Sequence, residues 1–135
     1  MNSTWYSHAA FVKVWSNVLF LIPAFISLHF EMYLYTFIVT VTMVISMVYH
    51  YYDEKRFKTV DMFTANLLII SNLYLCYLFN FAYPYFHIAL VFLAVTIYFF
   101  YMQHKSRKDL NHALWHISSV AIASFCILGY GMTVI

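Results

Sequence analysis

Charge, glycine and proline are scarce in this chain of 135 residues, in which 9% of residues are charged and glycine and proline occur twice each. Soluble domains carry about 25% charged residues, so this composition excludes an ordinary soluble domain. The shortage of glycine and proline argues against disorder and against a loop-rich β fold. Cys76 and Cys126 are too few, and too deep within apolar runs, to indicate a disulfide framework. We interpret them as small core residues.

Apolar residues dominate instead, at 64% of the chain. A spanning helix needs about 20 mainly apolar residues, and the chain offers five such stretches. They cover residues 9–28, 32–51, 60–79, 85–103 and 110–134. The connections between them are short, so consecutive helices are expected to be antiparallel neighbours. The sequence therefore predicts an all-α integral membrane protein with five transmembrane helices in one antiparallel bundle, a single domain over residues 1–135.

Lysine and arginine predict which side of the membrane each loop faces. Six of the seven lie near the second and fourth connections, at Lys55, Arg56, Lys58, Lys105, Arg107 and Lys108. The positive-inside rule makes that side cytoplasmic, which puts the N-terminus in the cytoplasm and the C-terminus outside it. We expect a multi-pass protein of the endomembranes (ER or Golgi) or the plasma membrane. The sequon at Asn2 is then expected to stay unglycosylated.

Several polar residues are predicted to lie at one depth near the cytoplasmic side. His50 ends the second span, Asp61 begins the third, and His112 and His116 begin the fifth. Ser46 lies one turn before His50 on the same helix face, because residues four apart on a helix are neighbours. Ionisable groups within a membrane are expensive, so their presence indicates a functional site.

Three histidines and a carboxylate in one layer are typical of a zinc site. A catalytic zinc commonly takes three protein ligands and leaves a fourth position for water. His112 and His116 have the i, i+4 spacing that can grip one ion, and His50 is available as a third ligand. Asp61 could instead be a carboxylate at a helix N-terminus, favoured by the macrodipole. The remaining histidines are interpreted as interfacial polar residues: His8, His29, His87 and His104.

Four motifs resemble those of the alkaline ceramidases, in the membrane hydrolase superfamily that also includes the adiponectin receptors and myomaker-like proteins. "WSNVLFLIP" (15–23) is similar to the first-helix Ser-Asn motif of alkaline ceramidases. "SMVYH" (46–50) matches the superfamily's Ser-x-x-x-His, and "HALWH" (112–116) matches its closing His-x-x-x-His. Asp61 follows His50 by eleven residues and looks like the family's aspartate.

The resemblance implies a zinc ion held by His50, His112 and His116. It implies that Asp61 lies near the zinc-bound water and Ser46 near the substrate carbonyl as the catalytic residues.

The resemblance also implies that Ser16 and Asn17 are structural supports under the site. The chain departs from this family in two respects. The family has seven spans where this chain has five, and the shortfall falls between the Asp61 span and the His-pair span. The family's calcium site uses acidic residues near the N-terminus, and residues 1–30 contain none. That calcium site is therefore expected to be absent. Losing two spans keeps the His pair on the same side as His50 and Asp61, so the zinc site is expected to survive the shortfall.

The polar cluster predicts a zinc-dependent intramembrane lipid hydrolase, and the resemblance implies an amidohydrolase that cleaves ceramide to a fatty acid and a sphingoid base. An ester-linked acyl lipid is chemically almost as good a substrate. The first alternative is a non-enzymatic receptor-like or membrane-remodelling protein with a structural zinc, in which Asp61 is the fourth ligand. The second is a proton or ion transporter, which the clustering in a single layer argues against. The expected partner is a membrane lipid and not a nucleic acid, and a homo-oligomer is left open.

Overall fold

The structure, a computed structural model, describes residues 8–52 and 54–134. Of these residues 86% are helical and none lies in a strand, which confirms the all-α prediction. The sequon at Asn2 and the side chain of His8 lie outside the described part of the chain. The helices are α1 (His8–Val18), α2 (Leu21–His29), α3 (Tyr33–Tyr52), α4 (Lys55–Leu78), α5 (Tyr85–Met102) and α6 (Lys108–Val134).

Five stretches of helix are long and apolar enough to cross a membrane, as the sequence predicts. They are Phe11–His29, Tyr33–Tyr52, Lys55–Leu78, Tyr85–Met102 and Lys108–Val134. Large apolar side chains also cover the outside of the bundle; Leu34 is 74% exposed and Phe63 68%. So large an exposed apolar surface is typical of a protein that is covered by lipid.

The third span begins earlier than its apolar pattern indicates. Helix α4 starts at Lys55, so the basic residues Lys55, Arg56 and Lys58 form its first turns rather than a loop. Lysine and arginine are good helix formers, and an apolar pattern cannot register them. Asp61 therefore lies inside the helix, beyond the first turn over which the macrodipole acts. The interpretation of Asp61 as a carboxylate at a helix N-terminus is wrong.

The first span is broken into α1 and α2 just before Pro23. Proline has no backbone N–H, so Pro23 cannot donate to the carbonyl of Leu19 four residues earlier. That carbonyl instead accepts from the N–H of Ile22 at 3.0 Å, a tighter turn than an α-helix makes. Asn17 and Phe20 flank the break and are both buried.

Helix α6 forms the centre of the bundle, because α1, α2, α4 and α5 all pack against it. It carries both glycines of the chain, and both are buried. A Cβ atom at Gly129 would lie 2.9 Å from ring carbons of Phe79, and one at Gly131 would lie 2.6 Å from ring carbons of Phe30. The two glycines therefore let aromatic rings from the ends of α2 and α4 rest directly on the α6 backbone. Close approach of this kind is typical of packed membrane helices.

The Gly131→Leu substitution is expected to destabilise the bundle, because the new side chain would occupy the space of the Phe30 ring. Overpacking typically costs about 1–3 kcal/mol, against a gain of up to about 1 kcal/mol from leaving glycine in a helix. The measurement is the melting temperature of the purified protein in detergent. Met132→Leu is the matched control, since Met132 is 59% exposed. Equal melting temperatures for the two variants would contradict the packing described here.

Candidate metal centre

Three histidine side chains from two helices converge at one end of the bundle. His50 comes from the last turns of α3, and His112 and His116 come from successive turns of α6. The Nε2 atom of His112 lies 3.0 Å from that of His50 and 2.9 Å from that of His116. One ligand atom from each residue lies within 4.8 Å of the other two. The structure thus brings together the three histidines that the sequence predicts to share a site.

The orientation of His112 is set by Gln103, which sequence reasoning did not identify. The Nδ1 atom of His112 lies 2.7 Å from the Oε1 atom of Gln103. An amide oxygen can only accept a hydrogen bond, so Nδ1 carries the proton and Nε2 presents its lone pair to the other two histidines. Gln103 is buried just after the end of α5. In the sequence, Gln103 is a single amide at the end of an apolar span, which could have marked it as a candidate. Its partner His112 could not be identified, because that contact depends on how α5 docks on α6.

The donor set fits a metal ion that prefers imidazole. Zinc–nitrogen bonds of about 2.0–2.1 Å in a tetrahedral site put ligand nitrogens about 3.3 Å apart. The Nε2 atom of His112 therefore needs to move a few tenths of an ångström away from those of His50 and His116, which a small ring movement provides. Imidazole ligands suit zinc, copper, iron and nickel, so the cluster identifies a candidate metal site without naming the metal.

An elongated cavity of about 330 Å³ adjoins the cluster, and His116 forms part of its wall. Ser46 and Asp61 lie on the same wall, as does Asn17. The Ser46 hydroxyl on α3 lies near the Asp61 carboxylate on α4. The serine and the aspartate predicted from the sequence therefore share one cavity with one of the three histidines.

The rest of the cavity wall is mostly apolar and extends along the helices. On α4 the wall runs from Asp61 to Cys76, a rise of about 22 Å, and on α6 from Trp115 to Cys126, about 16 Å. Most of its other members are aliphatic or aromatic: Phe20, Leu68, Ile69, Leu73, Phe86, Ala89, Leu90, Leu93 and Ile122. A long, narrow, apolar space with polar groups near the Asp61 end can accommodate an acyl chain.

The other residues considered in the sequence analysis lie outside the three-histidine cluster. In the part of the chain that the structure describes, His29, His87 and His104 do not join the three-histidine cluster. Cys76 and Cys126 are free and buried with their sulfur atoms 3.4 Å apart, which confirms them as core residues. The hydroxyl of Ser16 donates to the carbonyl of its own helix at residue 13, at 2.9 Å.

Polar contacts between helices hold the walls of the cavity in place. The side chain of Thr96 on α5 donates to Ser118 on α6 at 2.8 Å. The hydroxyl of Tyr35 on α3 donates to the Oδ1 atom of Asn72 on α4. Hydrogen bonds between helices in an apolar setting specify how the helices pair.

Comparisons with protein-family models, curated proteins and solved structures find no match to this chain. The resemblance to alkaline ceramidases therefore rests on the sequence motifs, three of which supply the histidines, the serine and the aspartate of this site.

Proposed function

We propose that this chain is a zinc-dependent intramembrane lipid hydrolase, an amidohydrolase that cleaves ceramide to a fatty acid and a sphingoid base. The observation that carries the proposal is one cavity that adjoins a three-histidine cluster at His116, has a serine and an aspartate on the same wall, and continues as an apolar slot. His50, His112 and His116 would hold the zinc. The same arrangement suits an acyl ester, which the test below distinguishes from an amide.

The chemistry that a bound zinc supplies is Lewis-acid polarisation and a water whose pKa falls from 15.7 to about 7. Asp61 would accept a proton from the attacking water and then pass it to the leaving amine nitrogen, as general base and then general acid. The Ser46 hydroxyl would donate a hydrogen bond to the carbonyl oxygen as negative charge develops on it. The apolar slot would hold the acyl chain and keep bulk water from the reacting carbonyl.

The proposed setting is a membrane crossed by five antiparallel spans. Contacts between consecutive helices support that arrangement. Thr42 of α3 donates to the Thr64 carbonyl of α4 at 3.2 Å, while Tyr35 near the start of α3 reaches Asn72 near the end of α4. The basic residues near the second and fourth connections favour a cytoplasmic N-terminus and a zinc site near the cytoplasmic side. The compartment is an endomembrane or the plasma membrane.

Purified protein is expected to contain about one zinc per chain, the stoichiometry of a three-histidine site. Metal analysis of protein prepared without chelator measures it, and the same preparation is assayed against ceramides and acyl esters. Release of fatty acid from ceramide in a zinc-dependent reaction is the expected result. Protein with no bound metal would overturn the site, and release from esters alone would make the protein an esterase.

A structural zinc in a non-enzymatic receptor-like or membrane-remodelling protein is the second candidate. It is favoured by the position of Asp61, which shares the cavity wall with His116 and could supply a fourth ligand. Structural zinc sites normally have four protein ligands and no open position. Stoichiometric zinc without hydrolysis of any lipid tested would select this function over the enzyme.

A further inference from the structure

Two buried polar atoms at the cavity lack a hydrogen-bond partner among the residues that the structure describes. They are the Oδ1 atom of Asn17 and the Nδ1 atom of His116. Asn17 is 1% exposed and His116 6%, so bulk water does not reach them. A buried polar group without a hydrogen-bond partner is destabilising, so each atom requires a partner. An amide oxygen accepts and an imidazole N–H donates, which makes the two atoms complementary.

The placement of the first span along α6 is defined by two contacts. The Lys13 ammonium lies 2.5 Å from the carboxylate of Asp109, at the start of α6. The rings of Phe20 and His116 meet edge to face with their centroids 6.3 Å apart. Lys13 and Phe20 are seven residues apart on the first span, and their partners Asp109 and His116 are seven apart on α6. The two segments therefore run side by side in the same direction.

Asn17 occupies the position between these contacts, and Ala113 is its counterpart on α6. Ala113 is buried and small, so it leaves room beside the Asn17 amide. Side chains on a helix point back towards its N-terminus, which directs the His116 ring towards the turn that contains Ala113. The amide nitrogen of Asn17 is already used, since it donates to the carbonyl of Lys13 at 2.9 Å. Its oxygen is therefore the atom available to His116.

We propose that Asn17 is a positioning residue for His116, whose Nδ1–H it accepts at Oδ1 through one bridging water. A histidine that binds a metal through Nε2 carries its proton on Nδ1, and an acceptor there fixes the tautomer and the ring orientation. Gln103 does this for His112, and Asn17 does it for His116. The inference rests on the zinc site of the proposed function but does not depend on hydrolysis.

The test compares Asn17→Leu with Asn17→Asp. Both variants lose the amide nitrogen that donates to the Lys13 carbonyl, and only Asp retains an acceptor oxygen. Removing such a partner typically costs about 10–100-fold in metal affinity, the loss expected for Leu. Asp is expected to bind zinc about as tightly as wild type. The readouts are the zinc Kd by competition with a chromophoric chelator, and the absorption spectrum of the Co²⁺-substituted protein, which should change for Leu alone.

Ser16→Ala is the matched control, because it removes a neighbouring hydrogen bond to the same carbonyl and should leave the Kd unchanged. If the Leu variant does not fold, Asn17→Ala replaces it with the same expectation. The inference would be overturned if Asn17→Leu, or Asn17→Ala in its place, bound zinc as tightly as the wild type. It would also be overturned if that variant and Asn17→Asp lost zinc affinity equally. Zinc binding that depends on Asn17 without any hydrolysis would support this inference and refute the enzyme. Hydrolysis with a zinc affinity indifferent to Asn17 would do the reverse.

Discussion

Asp61→Asn is expected to keep the fold and the zinc but to lose lipid hydrolysis by about 10²–10⁴-fold, the usual cost of losing general acid–base help. If the three histidines suffice to hold the metal, Asp61 is free to act on the attacking water. Asparagine has nearly the same size and can still interact with Ser46, so packing changes little. It cannot accept a proton, so it cannot serve as the base. Zinc content, melting temperature and ceramide hydrolysis are measured on one preparation.

Glu54→Gln is the matched control for this carboxylate. Glu54 precedes α4 and pairs with Arg56, a surface ion pair of the kind that contributes about 0–1 kcal/mol. The Glu54→Gln variant should hydrolyse lipid like the wild type. Undiminished hydrolysis in Asp61→Asn would refute the catalytic role of Asp61. Joint loss of zinc and thermal stability would make Asp61 a metal ligand, as the structural-zinc candidate requires.

His112→Ala is expected to reduce zinc content from about one per chain to nearly none and to abolish hydrolysis. The Nε2 atom of His112 lies about 3 Å from both other Nε2 atoms. The substitution therefore removes the ligand that contacts both of the other histidines. Two remaining ligands fall short of the three that a catalytic zinc commonly uses. Because the metal binds the folded state, its loss also removes stability, about 2.7–4.1 kcal/mol when free zinc exceeds Kd by 100–1,000-fold.

The measurement for His112→Ala is thermal unfolding with zinc and with a chelator. The chelator should lower the melting temperature of the wild type and leave that of the variant unchanged. His104→Ala is the control; His104 is an exposed histidine whose Nδ1 atom lies 3.0 Å from the Phe100 carbonyl. It should behave like the wild type. A chelator effect of equal size in His112→Ala would contradict the three-histidine site.

Much of the site was predictable because its residues repeat at helical spacing. His112 and His116 are four apart and must share a face of one helix, and Ser46 and His50 must do the same. Alternation of apolar spans with short connections then predicts that the end of the second span and the start of the fifth lie at the same end of the bundle, and the proposed zinc site requires them to meet. The structure confirms this meeting through the His50–His112 contact.

The supporting residues were not predictable in the same way. Gln103 meets His112 because α5 docks on α6, and nothing in the local sequence specifies that docking. Asn17 faces the cavity close to the break in the first span ahead of Pro23. The hydropathy of an apolar stretch does not predict such a break. The early start of α4 escaped the apolar pattern because its first turns are basic. Each of these features depends on contacts between segments or on residues that a hydropathy pattern does not register.

By itself, the sequence determined the helical class, the five apolar spans and the pairing of His112 with His116, because hydropathy and helical periodicity are local properties of the chain. Tertiary structure alone decided which side chains share the cavity and how closely the helices approach. The two glycines show the difference. The sequence shows that glycine is scarce, but it does not show which side chains pack against the two glycines. Gly129 and Gly131 each lie beneath an aromatic ring from a distant helix end. A ring needs that space only once α2 and α4 have packed on α6, since shape complementarity exists between elements and not within them.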